Sequence, residues 1–201
     1  AGGTRTISFV VNDGMANSTA VNYTLNVEAR SVITGSGATT NYVIDGSRVR
    51  VTNTIMITDS DSSDEVSGKV TIGTGFQTGD ALAFTNTGQG NITGSYNAGT
   101  GVLTLTSAFP NATLAEWESA LNAVTFSTTS NNTQNRTITF QVTSSHSDSN
   151  TVSQTMALSL PVVPNVSVTV NGLNGTTTTP TNIGNTSVSG YAVINPASTP
   201  Y

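Results

Sequence analysis

The chain has no cysteine, one histidine and one tryptophan among its 201 residues, and only 8% of its residues are charged. Without cysteine there is no disulfide, no thiolate nucleophile and no Cys-based metal site. The one histidine, His146, sits in Ser144-Ser145-His146-Ser147-Asp148. Adjacency in sequence is not the spatial arrangement that a Ser-His-Asp nucleophile requires, so this stretch reads as a solvated loop. Glu116 and Glu118 lie two residues apart on a predicted helix and face different directions, which argues against a catalytic carboxylate pair. No phosphate-binding loop or zinc signature is present, and the sequence points away from an enzyme.

Positive charge is equally scarce. Six Lys and Arg stand against eleven Asp and Glu, for a net charge of -5. Such a surface repels phosphate backbones, and nucleic acid is not an expected partner. No apolar run approaches the ~18 to 20 residues of a membrane span, so no membrane span is expected. The opening Ala1-Gly2-Gly3-Thr4-Arg5 is not a signal peptide, and any export signal is expected outside this stretch.

In place of charge the chain carries Ser, Thr, Asn and Gly, so neutral hydroxyls and amides solvate its surface. Nine Asn-x-Ser/Thr triplets begin at Asn17, Asn22, Asn91, Asn111, Asn131, Asn135, Asn165, Asn174 and Asn185. They suit an exterior carrying surface glycans, although this composition gives about six by chance.

The organising feature is an internal repeat. Arg5-Thr6-Ile7-Ser8-Phe9-Val10-Val11 returns as Arg136-Thr137-Ile138-Thr139-Phe140-Gln141-Val142, an offset of 131 residues. Without gaps the match extends through Ser18 with Ser149, Val21 with Val152, Thr24 with Thr155, Leu25 with Met156 and Val27 with Leu158. Both copies alternate apolar and polar residues, turn through a polar loop and alternate again, the pattern of a hairpin with one buried face.

Residues 1–28 are therefore expected to be the closing strands of a preceding repeat, 29–162 a complete repeat, and 163–201 a linker or the opening of a following one. In the last segment, Val166, Val168 and Val170 alternate like a strand ahead of Thr176-Thr177-Thr178-Thr179-Pro180. Two arrangements account for a start in mid-domain: a stretch of a longer polypeptide, or a subunit whose terminal strands complete a neighbour's sandwich. A lone two-stranded ribbon is marginal in water, so either arrangement gives 1–28 a partner surface.

Within the complete repeat, strands are predicted near 38–44, 48–58, 66–73, 81–86, 91–96, 102–107, 122–127, 136–143 and 150–160, spaced as in an all-β sandwich. Asn97-Ala98-Gly99-Thr100-Gly101 supplies residues tolerant of positive φ between two of them. One short helix interrupts the series. Thr113-Leu114-Ala115-Glu116 is a capping box, and Leu114, Trp117 and Leu121 form an apolar stripe that places Trp117 in the core.

This order of segments resembles the cadherin-like, immunoglobulin-like repeats of giant bacterial surface adhesins. The resemblance is carried by Val51-Thr52-Asn53-Thr54-Ile55-Met56-Ile57-Thr58-Asp59-Ser60-Asp61 and by Gly75-Phe76-Gln77-Thr78-Gly79-Asp80-Ala81-Leu82-Ala83-Phe84-Thr85. It continues through Ile92-Thr93-Gly94-Ser95-Tyr96-Asn97, Gly101-Val102-Leu103-Thr104-Leu105 and Trp117-Glu118-Ser119-Ala120-Leu121, and ends on Arg136-Thr137-Ile138-Thr139-Phe140. It implies a β-sandwich in a tandem array, a stalk or adhesive rod at the extracellular cell surface, and often Ca2+ at the domain junctions.

Calcium also has a case in the residues themselves, because it needs six to eight oxygen ligands. Asp59-Ser60-Asp61-Ser62-Ser63-Asp64-Glu65 gathers four acids into seven residues, and Asp45 and Asp13 are candidates to join from other loops. The competing reading is a solvated acidic turn, since no EF-hand pattern is present. In the second hairpin Asn12-Asp13-Gly14 becomes Thr143-Ser144-Ser145, so that acid is lost.

The expected function is a structural extracellular module, part of an adhesin stalk or a subunit of a cell-surface filament, partnered end to end by neighbouring repeats or identical subunits. Its rivals are a module binding carbohydrate or a host surface, disfavoured by only 6% aromatic residues, and an ancillary domain of a secreted enzyme.

Overall fold

The structure, a computed structural model, describes residues 2–35, 37–60, 65–145 and 147–162. Asp61, Asp64, His146, the strand expected around 166–170 and the segment 163–201 lie outside the described residues. The chain divides into two units, Ala1–Pro161 and Val162–Tyr201, and every element below belongs to the first. In chain order these are β1 (Gly3–Phe9), β2 (Val21–Val27), β3 (Val32–Thr34), β4 (Thr39–Val43), β5 (Val49–Arg50), β6 (Met56–Thr58) and β7 (Ser67–Ile72). They continue as β8 (Asp80–Ala83), β9 (Ile92–Asn97), β10 (Val102–Ser107), α1 (Leu114–Asn122), β11 (Thr125–Thr128), β12 (Arg136–Thr143) and β13 (Val152–Ser159).

The architecture is an all-β sandwich with one short helix. A six-stranded sheet runs β4-β13-β12-β7-β10-β9; a three-stranded sheet β5-β11-β8 and a two-stranded sheet β3-β6 share its core. Pairing is antiparallel except for β13 against β4, where Thr155 to Ser159 lie beside Thr39 to Val43. Strict alternation in β12 sends Arg136, Ile138, Phe140 and Val142 inward, while β13 adds Met156 and Leu158. These side chains meet Val70 and Ile72 of β7, Leu103 and Leu105 of β10, and Leu82 and Phe126 of the smaller sheet. Tyr42 and Phe126 join the two layers edge to face, with ring centroids 5.3 Å apart. Between β9 and β10, Gly101 takes φ +69 and its amide donates to Asn97 O at 2.9 Å.

The helix forms where its capping box predicts. Glu116 N donates to Thr113 Oγ1, and Thr113 N donates to Glu116 Oε2 at 2.8 Å. Together these satisfy orphan amides of the first turn and are worth about 1 kcal/mol. The helix buries Trp117, Ala120 and Leu121, and the indole Nε1 donates to Glu65 O at 2.9 Å. Gly68 makes room for the indole: a Cβ there would stand 2.9 Å from Trp117 Cζ3. Among the described residues no helix is long and apolar enough to cross a membrane.

The helix also reshapes a segment that the sequence presents as one strand. The stretch 48–58 is two short strands, β5 and β6, because side chains of α1 replace a strand partner in between. Asn122 accepts from Ile55 N at 3.0 Å and donates to Ile55 O at 2.9 Å, and Glu118 accepts from Ile57 N at 2.7 Å. The helix runs through Asn122, so the following strand begins at Thr125 rather than at 122. β6 then pairs with β3, a strand outside those predicted from the sequence.

Among the described residues, one ion pair lies inside the sandwich. Arg136 Nε donates to Asp80 Oδ2 at 2.7 Å, and both side chains are fully buried. Arg136 Nη2 reaches Asp80 Oδ1 at 3.3 Å and Asn132 O at 3.2 Å, its Nη1 donates to Gln134 O, and Gln77 N donates to Asp80 Oδ2 at 2.8 Å. The pair thus locks the start of the closing hairpin β12-β13 to β8. Removing one member strands the other charge in a dry site. Asp80→Ala is expected to lose about 3 to 5 kcal/mol in chemical denaturation, and pairing it with Arg136→Met should restore part of that loss.

Candidate functional site

The first candidate surface is the β1-β2 hairpin. Its register repeats that of β12-β13 at the same offset of 131. Arg5 faces Leu25 as Arg136 faces Met156, and Phe9 faces Val21 as Phe140 faces Val152. The turns agree as well. Asn12 bridges Asn17 as Thr143 bridges Asp148. Ser18 N donates to Val11 O at 2.7 Å and Ser149 N to Val142 O at 2.8 Å, while Val11 N and Val142 N each donate to the following serine Oγ at 3.0 Å.

What differs is burial. Ile138, Phe140 and Met156 are fully buried, whereas Ile7, Phe9 and Leu25 are 44%, 58% and 42% exposed. The apolar face that is buried in β12-β13 is thus about half exposed in β1-β2.

The second candidate lies at the end of the sandwich that carries the β12-β13 turn. There the segment leading into β3 is fixed on three sides. Arg30 Nε donates to Asp148 O at 2.6 Å. Ile33 N donates to Asn150 Oδ1 at 2.9 Å, and Asn150 Nδ2 returns to Ile33 O at 2.8 Å. Ser31, fully buried, brings Asp59 and Glu65 together: its Oγ is 2.8 Å from Asp59 Oδ2 and 2.5 Å from Glu65 Oε1. A hydroxyl carries a single proton and cannot donate to both carboxylates. A groove of about 510 Å3 opens alongside, lined by Ala29, Arg30, Val32, Thr58, Asp59 and Ser60.

The structure thus brings together two of the six predicted calcium ligands, Asp59 and Glu65. Asp45 is placed elsewhere: it follows Ile44, whose amide donates to Ser159 O at 2.9 Å, at the opposite end of β13 from Asn150. Asp13 closes its own turn, accepting from Met15 N and Ala16 N at 2.9 Å each. Those amides, Ala16 foremost, hold its carboxyl below the ordinary aspartate value. Asp61 and Asp64 fall outside the described residues.

Ser31 carried no sequence signal, because serine is abundant here and its role depends on burial. Two carboxylates and a hydroxyl are the donor type that Ca2+ takes, though fewer than its six to eight oxygens. Among the described residues no three His, Asp or Glu side chains converge as a metal cluster. No protein-family model and no curated protein matches this chain.

Proposed function

We propose that this chain is a structural module of a rod or filament at the cell exterior, working by end-to-end extension rather than by catalysis. The observation that carries this reading is the placement of the two ends of the repeat. The segment entering at Arg30 and Ser31 is anchored beside Asp148 and Asn150, and the chain leaves β13 at Ser159. Nine steps of chain separate Asn150 from Ser159, or about 30 Å when extended. Units joined in this way follow one another along the strand axis instead of stacking side by side. A hairpin of identical register preceding the repeat, and a surface with few charges and few aromatics, support the same reading.

Electron microscopy of the native material, with the mass of the denatured chain, tests it. The expected result is a rod or filament that lengthens by at least about 30 Å for every 131 residues. Monomeric compact particles of 20.6 kDa would overturn the reading.

Calcium fits the same picture as a stiffener where one unit meets the next, held by Asp59 and Glu65 with the Ser31 hydroxyl oriented between them. At a hundredfold excess over Kd the ion would add about 2.7 kcal/mol, or roughly 5 to 10 °C in Tm for a domain of this size. Thermal unfolding with Ca2+ and with chelator should differ by that amount, and Asp59→Asn should abolish the difference. Equal melting under both conditions removes calcium from the proposal and leaves the rod in place.

A further inference from the structure

We infer that Asn150 is a mechanical latch: it hands tension arriving at β3 directly to β13, so that the unit bears load along one strand instead of through its core. The inference rests on the end-to-end reading and adds where such a unit holds. β3 has β6 along one edge, paired over only three residues, and among the described residues no strand lies along its other edge. The Asn150 side chain takes that edge. Its Oδ1 accepts from Ile33 N at 2.9 Å and its Nδ2 donates to Ile33 O at 2.8 Å, so one amide holds both backbone groups of a fully buried residue. Three residues earlier, Arg30 Nε donates to Asp148 O at 2.6 Å. Asp148 and Asn150 lie four and two residues ahead of Val152, where β13 begins.

These contacts shorten the path that tension takes. Ile33 and Asn150 are 117 residues apart in sequence, and while their bonds hold, the chain between them is shielded from the pull. Tension entering at Arg30 passes to Asn150, runs down β13 and leaves at Ser159. β13 is bonded to β12 on one side and to β4 on the other. β4 lies parallel to β13 and is reached from the β3 end, while β13 continues to the exit. A lengthwise pull therefore draws these two strands in opposite senses and loads their ladder in shear. Helix α1 and the β9-β10 hairpin lie off this path. Resistance to a pull follows the rate of unfolding and not equilibrium stability, so a contact on the path and one off it are separable by measurement.

Force spectroscopy on the full chain tests this, because the protein has no cysteine of its own and introduced thiols fix the pulling points. Handles at Glu28→Cys and Leu160→Cys pull lengthwise. Handles at Asn41→Cys and Ser95→Cys, on the two outer strands β4 and β9 of the six-stranded sheet, pull across it. The lengthwise pull is expected to need several-fold more force. Asn150→Ala should clearly lower the lengthwise force while leaving the crosswise force near the parent value, and Asn150→Asp, which keeps the acceptor and loses the donor, should fall between. Leu121→Ala opens a cavity in the buried face of α1, off the path. It should lower stability to denaturant more than Asn150→Ala does, and the lengthwise force less. Equal force in both directions, or a lengthwise force that Asn150→Ala leaves unchanged, overturns the latch. Either result leaves the rod reading in place, whereas compact 20.6 kDa particles in the native material remove the rod itself.

Discussion

A two-stranded hairpin cannot bury its own apolar face, and everything else in this sandwich is arranged around meeting that need. β12-β13 is inserted between β7 and β4, so the six-stranded sheet is continuous only while the hairpin is in place. Its inward side chains supply Ile138, Phe140, Val142, Met156 and Leu158 to the core. Arg136 at its base fixes the position along the strand axis, because the guanidinium is satisfied only where Asp80, Asn132 O and Gln134 O converge. Removing one partner of such a pair is costly, which makes it a locator of register as well as a contact.

The hairpin and its register were legible in the sequence because they depend on local alternation, and alternation survives whatever the chain packs against. The register at Arg136 to Met156, the capping box at Thr113 and the burial of Trp117 all follow from patterns contained within about 25 residues. The division of 48–58 was not legible. Its alternation is real, but the groups opposite Ile55 and Ile57 are Asn122 and Glu118 of the helix, far away in sequence. Asp80 and Arg136 likewise look like surface residues until the fold sets them face to face.

The candidate cation site shows the same division between local and distant information. The acidic run from Asp59 to Glu65 is evident by composition, yet the residue that joins two of its carboxylates is Ser31, brought in by the β3-β6 pairing. Asp45 resembles Asp59 in being an aspartate near the end of a strand. The parallel pairing of β4 with β13 nevertheless carries it to the other end of the sandwich. Parallel pairing joins elements distant in the chain and leaves no short-range turn signal, so sequence reasoning cannot sort the ends of such strands.

If the chain works as the end-to-end module proposed, it would carry load between its ends, and the load path would be set by the same hairpin. Tension applied at Ser31 and Ser159 acts nearly along β13, which is bonded to β12 on one side and β4 on the other. Ladder bonds perpendicular to the pull are loaded in shear and must yield together, whereas a strand peeled from its end yields one bond at a time. With no disulfide to carry force, resistance in such a module would come from this geometry and from the Arg136-Asp80 pair at the base of β12.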